Sequence, residues 1–266
     1  MKSPKNPNIA ILIVNYKTKK YIIKLLQSYL VYENYNGNIV FYIGDNASGE
    51  NLEELKTLFP EINIHTYQIS ENGGFGVGNN FLFQQTTEEI IFLINPDIIW
   101  KESILEKLVN LQKHTQAQVI GPRLVTKEGF TQMWDHGELD DIRAKMLEMF
   151  FGVSYWKDQN TLTQVSWVSG AAFMINRTVF QNIGGFDESF FLYREEEDLC
   201  VRIRNEGGRI YYAPSISMIH LGSIVASMSK YMVNSHILYL KKHHPIIYKL
   251  RISEQITRIY FRYLQK

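Results

Sequence analysis

Short apolar segments alternate with segments of helical periodicity along the first half of the chain, and this alternation limits the possible folds. Ile9–Asn15 (IAILIVN) is apolar at almost every position, as in strands that are covered on both faces. Residues 18–31 then repeat apolar side chains at helical spacing. The further candidate strands are 39–44, 62–68, 89–95 and 119–125, and the further candidate helices are 52–59, 75–86 and 101–114. This order predicts an α/β protein, a three-layer α/β/α sandwich with a mainly parallel central sheet.

The composition indicates a globular protein and excludes several classes. Apolar residues make up 45% of the 266 residues, which is enough for a large core and unlike a disordered chain. The net charge of +1 gives no general argument for nucleic-acid binding, and no nucleic-acid partner is expected. Cys200 is the only cysteine, so an internal disulfide is excluded and a cytoplasmic location is predicted. No stretch approaches the roughly 18 consecutive apolar residues of a membrane span.

The second half of the chain is less regular. Residues 127–164 show no clean period and are interpreted as a long loop over one face, of a size that is often functional. Residues 165–176 and 209–213 return to strand patterns. Residues 226–266 are predicted to form a basic, amphipathic helical tail, since residues 240–266 contain seven Lys or Arg against one acid, Glu254.

Two polar segments follow candidate strands at the sheet edge where open α/β sheets bind ligands. The first is Asp45-Asn46-Ala47-Ser48, whose acid could accept hydrogen bonds from a ribose or a base, although a helix cap explains it equally well. The second is the tract 71–80, where four glycines in six positions permit close backbone approach to a ligand. A merely structural turn is the alternative, because the tract is neither a dinucleotide fingerprint nor a P-loop.

Asp97 and His220 are candidate metal ligands. Asp97 ends the Asn95-Pro96-Asp97 step after a strand, where its carboxylate would suit a hard divalent cation that also binds diphosphate and water. An ordinary Pro-Asp turn is the alternative. His220 follows the strand-like segment 216–219. It becomes a further ligand if its strand end meets that of Asp97, and is otherwise a packed or surface histidine.

Four consecutive acids, Glu195 to Asp198, begin a candidate helix after the aromatic-rich segment 184–193. A carboxylate held against aromatic side chains is desolvated and can serve as a general base. A solvated first helical turn, favoured by the helix dipole, is the alternative. Helical spacing predicts that Glu195 and Asp198 point one way and Glu196 another.

Seven segments, taken together and in this order, resemble the rhamnosyltransferase-like branch of glycosyltransferase family 2. They are VNY (14–16), DNAS (45–48), NGGFGVGNN (72–80), NPD (95–97), WVSGAAFMINR (167–177), GGFDESFFLYREEEDLCVRIR (184–204) and IHLGS (219–223). The resemblance covers roughly residues 8–245. It implies a GT-A fold over residues 1–225, with a nucleotide-sugar-binding half (about 8–125) and an acceptor or catalytic half (126–225), before the tail 226–266.

The resemblance also implies roles for individual residues. Asp97 matches the last acid of the D-x-D motif that binds Mn2+ or Mg2+, with His220 as a further ligand. The family commonly reads Glu-Asp-x-Asp, so Glu196 stands where an Asp is usual and is the first choice for the catalytic base, with Glu195 or Asp198 as substitutes. The implied substrate-binding residues are Asn15, Tyr16, Asp45, Asn72, Gly74, Asn79, Asn95, Trp167 and Gly170.

The implied reaction is an inverting, metal-dependent sugar transfer in bacterial cell-surface polysaccharide synthesis. The donor would be a dTDP- or UDP-sugar, with rhamnose from dTDP-rhamnose as one option, and the acceptor a glycan or a lipid-diphosphate-linked glycan. The tail would contact the inner face of the cytoplasmic membrane, with packing on its own domain or a homodimer contact as alternatives. A nucleotidyltransferase and a non-catalytic nucleotide-sugar or carbohydrate-binding module with a degenerate site are the competing functions.

Overall fold

The computed structural model describes residues 6–222 and 228–249. Its strands are β1 (Ile9–Asn15), β2 (Ile39–Asn46), β3 (Ile64–Ile69), β4 (Ile90–Ile94), β5 (Ile98–Ile99), β6 (Val119–Val125), β7 (His136–Gly137), β8 (Thr163–Gln164), β9 (Trp167–Val168), β10 (Ala172–Asn176) and β11 (Ile210–His220). Its helices are α1 (Lys19–Tyr32), α2 (Glu54–Leu58), α3 (Gly74–Gln84), α4 (Leu105–Thr115), α5 (Ile142–Phe151), α6 (Arg177–Asn182), α7 (Glu195–Asn205), α8 (Met228–His243) and α9 (Pro245–Lys249).

Within the described residues, nine strands form one sheet in the order β3-β2-β1-β4-β10-β6-β11-β5, with β8 added beside β11. The pairs β2–β3, β1–β2, β1–β4 and β6–β11 are parallel. Strand β10 is antiparallel to both β4 and β6, and β5 and β8 are antiparallel to β11. The predicted mainly parallel central sheet is therefore confirmed, with antiparallel pairs at β10, β5 and β8.

The two faces of the sheet bury separate cores. Ile9, Ile11 and Ile13 of β1 belong to one hydrophobic cluster, which also contains residues of α1, α2 and α4. Ala10 and Leu12 belong to the other, which contains residues of α3, α6 and α7. Successive side chains of a strand point to opposite faces, so an uninterrupted apolar run is what a strand between two helical layers requires. The predicted α/β/α sandwich is confirmed.

The segment predicted as a long loop contains regular structure. It holds β7, α5 and β8, and α5 begins where the Asp141 side chain accepts a hydrogen bond from the Arg143 backbone N–H. Helix α5 was not predicted from the sequence because large apolar side chains such as Ile142, Met146 and Met149 lie on its exposed side. Apolar residues that point both into the protein and into solvent produce no clean amphipathic pattern.

Two other segments also differ from their predicted form. Residues 165–176 form two strands, β9 and β10, separated by a turn. Residues 210–220 form the single strand β11, whose register with β6 shifts between Ala213 and Ser217. Pro214 lies inside this irregularity, where the backbone N–H that proline lacks is not needed for the ladder.

The described part of the tail packs against the rest of the protein. Tyr239 and Leu240 of α8 are buried, and the Tyr239 hydroxyl donates to Glu148 Oε1 at 3.0 Å. The predicted start of the tail at residue 226, and its basic residues Arg251, Arg258, Arg262 and Lys266, lie outside the described residues. Among the helices that the structure describes, none combines the length and apolar character needed to cross a bilayer.

Candidate functional site

A cavity of about 800 Å³ opens at the carboxyl ends of the central strands. It receives side chains from both halves of the chain. Ten of the residues singled out from the sequence line it, namely Tyr16, Asn72, Gly74, Asn95, Asp97, Trp167, Gly170, Glu195, Glu196 and His220. Asp97 and Glu196, which lie far apart in the sequence, therefore face one common space.

The backbone brings Asp97 and His220 together. Strand β5 pairs with β11 so that Ile98 lies opposite His220, and the Leu221 N–H donates to the Asp97 carbonyl oxygen at 3.1 Å. As a result, His220 Nε2 lies 3.4 Å from Asp97 Oδ1. The condition set for His220 as a metal ligand, that its strand end meets that of Asp97, is satisfied.

The separation of these two atoms fits a shared divalent cation. Neighbouring ligands at about 2.1 Å from an octahedral ion lie about 3.0 Å apart, close to the 3.4 Å observed. Within the described residues, no group of three or more His, Cys, Asp or Glu is arranged to hold a metal. Mn2+ or Mg2+ would therefore need oxygens from substrate phosphate or water to complete its coordination. Hard cations commonly bind such oxygens beside one or two protein ligands.

Three of the four consecutive acids line the cavity at the start of α7. Tyr193 and Arg194, directly before the helix, both have a left-handed backbone with φ near 70°. Glu195 and Glu196 each keep one buried carboxylate oxygen, Oε2, without a hydrogen-bond partner. Glu197 is held instead, since its Oε2 accepts from Ser154 Oγ at 2.7 Å and from Arg194 at 3.0 Å.

The surroundings of Glu196 favour its neutral form. Burial, and after it the neighbouring Glu197 charge, raise the pKa of Glu196 to about 7. The backbone N–H groups of Glu196 and Gly170, and the charge of Arg194, oppose this rise in pKa. Burial, with the adjacent Glu196 charge, also raises the pKa of Glu195 well above its usual range. A carboxylate whose pKa lies near 7 is suited to exchange protons at physiological pH.

The prediction that Asp198 could serve as the catalytic base is wrong. Asp198 does not line the cavity, and it does not share the direction of Glu195 as helical spacing had predicted. Its carboxylate is fully buried and binds Arg202 Nε at 2.8 Å, Lys242 Nζ at 2.7 Å and His243 Nε2 at 2.7 Å. Because these groups occupy both oxygens, Asp198 is not a candidate base.

Asp45 and Asn15 were predicted to bind substrate, but neither lines the cavity. Asp45 Oδ2 accepts from the backbone N–H groups of Ser48 at 3.0 Å and Gly49 at 2.9 Å. Its Oδ1 accepts from Asn15 Nδ2 at 2.7 Å and from the Ser48 hydroxyl. A carboxylate offers about four acceptor positions, and all are used in holding this turn. Asp45 therefore stabilises a turn and caps no helix, because α2 begins at Glu54 with Glu53 at its N-cap. Its occupied carboxylate leaves the predicted nucleoside contact without support.

The neighbouring Asn46 lies on the cavity wall and was not singled out from the sequence. Its Nδ2 donates to Asn72 Oδ1 at 2.9 Å and to the Gly74 carbonyl oxygen at 3.1 Å. These bonds connect the end of β2 to the start of α3. Asn79 is buried behind them and outside the cavity lining, and its Nδ2 donates to the Phe75 carbonyl oxygen at 3.0 Å. Asn79 lies more than one turn into α3, beyond the first residues of the helix that line the cavity.

The segment before α5 supplies lining residues that no local pattern indicated. Gln132, Trp134 and Asp135 all face the cavity. Asp135 is held by the Tyr212 hydroxyl at 2.7 Å and by Trp156 Nε1 at 3.0 Å. The only sequence signal for these residues was the length of the irregular segment that contains them.

Comparison with known proteins gives relatives that include several proteins named as sugar transferases. The chain is 27% identical over 227 residues to the low-salt glycan biosynthesis hexosyltransferase Agl10 of Haloferax volcanii, covering 80% of this chain and 67% of that protein. It is 24% identical over 230 residues to the rhamnosyltransferase WbbL of Escherichia coli K12, covering 80% of this chain and 83% of WbbL. It is 24% identical over 180 residues to an N-acetylglucosaminyl-diphospho-decaprenol L-rhamnosyltransferase of Mycobacterium tuberculosis, covering 59% of each.

Solved structures share the fold at low sequence identity. GalNAc-T7, crystallised with UDP, GalNAc and Mn2+, superposes with a TM-score of 0.65 and 14% identity over 88% of this chain and 48% of its own. The mannosyltransferase PcManGT of Pyrobaculum calidifontis, in complex with GDP-Man and Mn2+, superposes with a TM-score of 0.61 and 12% identity. The superposition covers 91% of this chain and 67% of that one. These similarities show the GT-A fold.

The match to a family extends over nearly the whole described domain. Residues 7–230 match the family described as glycosyltransferase like family 2. This agrees with the ordered motifs, the GT-A fold and the cavity that joins both halves of the chain. The protein is a member of glycosyltransferase family 2, in the branch whose relatives include rhamnosyltransferases.

Proposed function

We propose that this glycosyltransferase transfers a sugar from a nucleotide-sugar donor with inversion at the anomeric carbon, assisted by Mn2+ or Mg2+. The observation that carries the proposal is the shared cavity of Asp97 and Glu196. Inversion requires the acceptor hydroxyl to attack from the face opposite the leaving diphosphate. A cation-binding acid and a proton-accepting acid must then lie on opposite sides of the sugar. The position of Asp97 and Glu196, from separate segments of the chain, around one cavity supports these roles.

Asp97 and His220 are the proposed ligands of the metal ion. A divalent cation bound there would stabilise the negative charge that develops on the leaving diphosphate. Asp97 directly precedes β5 and His220 ends β11, and these two strands are paired, so little reorganisation is needed to bring both side chains to one ion.

Glu196 is the proposed general base. Its raised pKa gives the carboxylate enough basicity to take the proton from an acceptor hydroxyl about 3 Å away. Glu195 keeps an unpartnered oxygen as well, but it is more completely buried, and burial raises its pKa well above the usual range. Glu197 and Asp198 are occupied by cationic partners.

The names of the relatives support a narrower proposal for donor and acceptor. Two of the relatives above are named as rhamnosyltransferases, and one name specifies a diphospho-decaprenol acceptor. We therefore propose dTDP-rhamnose as the first donor to test, with UDP-sugars next. The proposed acceptor is a glycan, free or linked to lipid diphosphate, in cell-surface polysaccharide synthesis.

The test is donor turnover by the full chain. The protein is incubated with a panel of nucleotide-sugars, with and without Mn2+, and release of the nucleotide diphosphate is measured. We expect Mn2+-dependent release with one donor and a loss of about 10²-fold or more in Asp97→Ala. Glu206→Ala, at an exposed position beyond the end of α7, is the matched control and should retain wild-type release.

Three results would contradict the proposal. Unchanged turnover in Asp97→Ala would remove the metal role. Donor binding without turnover across a panel of acceptors would favour the non-catalytic module. Release of pyrophosphate, rather than of a nucleoside diphosphate, would favour the nucleotidyltransferase.

Association with the membrane surface is proposed for the end of the tail. Helix α9 exposes Ile246 and Tyr248, and the residues that follow it include four Lys or Arg against one acid. Basic residues beside apolar ones favour an anionic bilayer surface at the cytoplasmic face. Flotation with anionic liposomes should recover the full chain but not a chain that ends after α9. Equal recovery of both would contradict this proposal.

A further inference from the structure

Gln132 contacts His220 through both ends of its side-chain amide. Gln132 Nε2 donates to the His220 carbonyl oxygen at 2.7 Å, and Gln132 Oε1 lies 2.8 Å from His220 Nδ1. A carbonyl oxygen can only accept, so the first bond determines which end of the amide is the nitrogen. Oε1 must therefore accept from Nδ1, and the ring proton of neutral His220 lies on Nδ1.

The other ring nitrogen of His220 then carries a lone pair. Nε2 faces Asp97 Oδ1 across 3.4 Å, so two acceptor atoms confront each other. A protonated histidine would close this gap to about 2.7–2.9 Å in a charge-assisted hydrogen bond. The observed 3.4 Å is longer than such a bond and closer to the about 3.0 Å between two neighbouring ligands of a small octahedral ion.

The backbone around this contact is anchored on three strands. The Gln132 N–H donates to the Leu124 carbonyl oxygen of β6 at 2.8 Å. Strand β6 runs parallel to β11, with Val125 opposite Ile219, and His220 pairs with Ile98 of β5. Gln132 thus joins the segment before β7 to the strand end that carries His220.

We infer that Gln132 is a positioning residue, which holds the His220 ring with its proton on Nδ1 and its Nε2 lone pair directed at a divalent cation shared with Asp97. The inference rests on the proposed metal role of Asp97 and His220. Partners of this kind, hydrogen-bonded to the second nitrogen of a ligating histidine, set its tautomer and orientation. Gln132 acts through His220, and no contact of Gln132 with the reacting atoms is required.

The first experiment reads the tautomer directly, without metal or substrate. Imidazole ¹⁵N spectra of the wild type are compared with those of His220→Asn to assign the His220 signals. We expect the Nδ1–H tautomer in the wild type and a mixture, or the Nε2–H form, in the near-isosteric Gln132→Met. An Nε2–H tautomer in the wild type would overturn the inference, and this measurement needs no variant to fold except for assignment.

The second experiment measures Mn2+ binding by the loss of the free-ion EPR signal, with and without UDP. We expect Gln132→Met to weaken Mn2+ binding about 10–100-fold. Phe130→Ala, which alters an exposed side chain two residues away, should bind Mn2+ like the wild type. Unchanged affinity in Gln132→Met, while His220→Ala binds more weakly, would overturn the positioning role.

The two proposals fail in different ways. If the tautomer and the Mn2+ affinity respond to Gln132→Met but no nucleotide-sugar is turned over, the positioning role stands and the proposed function fails. If turnover depends on Asp97 while neither the tautomer nor the Mn2+ affinity depends on Gln132, the proposed function stands and this inference fails.

Discussion

Lys242 of α8 and Asp198 of α7 form an ion pair between the tail and the helix that carries the consecutive acids. Lys242 Nζ lies 2.7 Å from Asp198 Oδ1, and the Asp198 carboxylate is fully buried. Lys242 also binds Asp187 at 2.6 Å, in the segment that leads into α7. The start of α7 is therefore held from its outer side by α8 while its other side faces the cavity.

Replacement of Asp198 by alanine should destabilise the protein. The change leaves Arg202, Lys242 and His243 without their shared carboxylate. Breaking a buried pair costs about 3–5 kcal/mol, and we expect roughly 2–3 kcal/mol because these cationic side chains are partly exposed. Urea denaturation followed by circular dichroism measures the change. Glu206→Ala is the control, and an equal midpoint for both variants would contradict the anchoring role.

Protonation of the Asp198 carboxylate should lower the stability of the folded protein in acid. Burial alone would raise the pKa of Asp198, but hydrogen bonds from His243 and Lys242 and the charge of Arg202 outweigh it and lower the pKa. A lowered pKa in the folded state stabilises the protein above the unfolded value of about 3.9, and this stability is lost as the pH falls through the folded value. Urea midpoints of the wild type should fall in that range more steeply than those of Asp198→Asn. Parallel curves would contradict this assignment.

Glu196→Gln should abolish most of the catalytic turnover but not donor binding. Glutamine keeps the size of the side chain and removes its basicity, so the loss in kcat should be about 10²–10⁴-fold. The apparent affinity for the nucleotide diphosphate, measured by calorimetry, should stay within a few-fold of wild type. Retained kcat would exclude Glu196 as the base, and the same assay on Glu195→Gln would then identify the substitute.

Glu197→Gln should move the acidic limb of the pH–rate profile. The Glu197 charge raises the pKa of Glu196, and the Arg194 charge lowers it. Removing the Glu197 charge also removes the counter-ion of Arg194, so both changes lower the pKa of Glu196. Since the base must be deprotonated, kcat/KM should begin to fall at a lower pH than in the wild type. A shift to higher pH would contradict this electrostatic assignment.

Gly74→Ala should be far more harmful than Gly49→Ala, although both glycines have a left-handed backbone. A Cβ on Gly74 would lie 2.0 Å from the Phe191 carbonyl oxygen, whereas a Cβ on Gly49 would meet nothing within 4 Å. Gly49→Ala should cost about 1–2 kcal/mol, the cost of the conformation alone. Gly74→Ala should cost more than 3 kcal/mol, since backbone must move. Equal melting temperatures for the two variants would refute the steric argument.

Local patterns were sufficient for the layered fold and for the ends of the chemistry-bearing strands. Because a buried parallel strand must be apolar at nearly every position, β1 and β4 are recognisable without their neighbours. Asp97 and His220 both stand at strand ends, and parallel connections bring such ends to one edge of the sheet. Their meeting was a condition for the metal role of His220 and not a prediction, and it is met through the antiparallel pair of β5 and β11. The resemblance to the family implied that Glu196 lies at the same cavity.

The spacing of residues along one segment did not reveal which polar groups were already occupied. The hydrogen-bond acceptors of Asp45 are occupied by backbone N–H groups of its own turn and by Asn15. One carboxylate oxygen of Asp198 is occupied by Lys242 and His243 of α8. Helix α5 was missed because its apolar residues do not all face the core. In each case the outcome depends on neighbours that are distant in sequence or on exposure that no local period reports.

The order and apolar character of the segments by themselves determined the α/β/α sandwich and its sheet edge, and the ordered motifs indicated the family. The tertiary structure alone decided that Glu196 rather than Asp198 faces the cavity, that Gln132 contacts His220, and that α8 supports α7. The reason is physical. A strand or helix is specified by the side chains within it, whereas the protonation, orientation and availability of a polar group depend on the charges and hydrogen-bond partners that folding places around it.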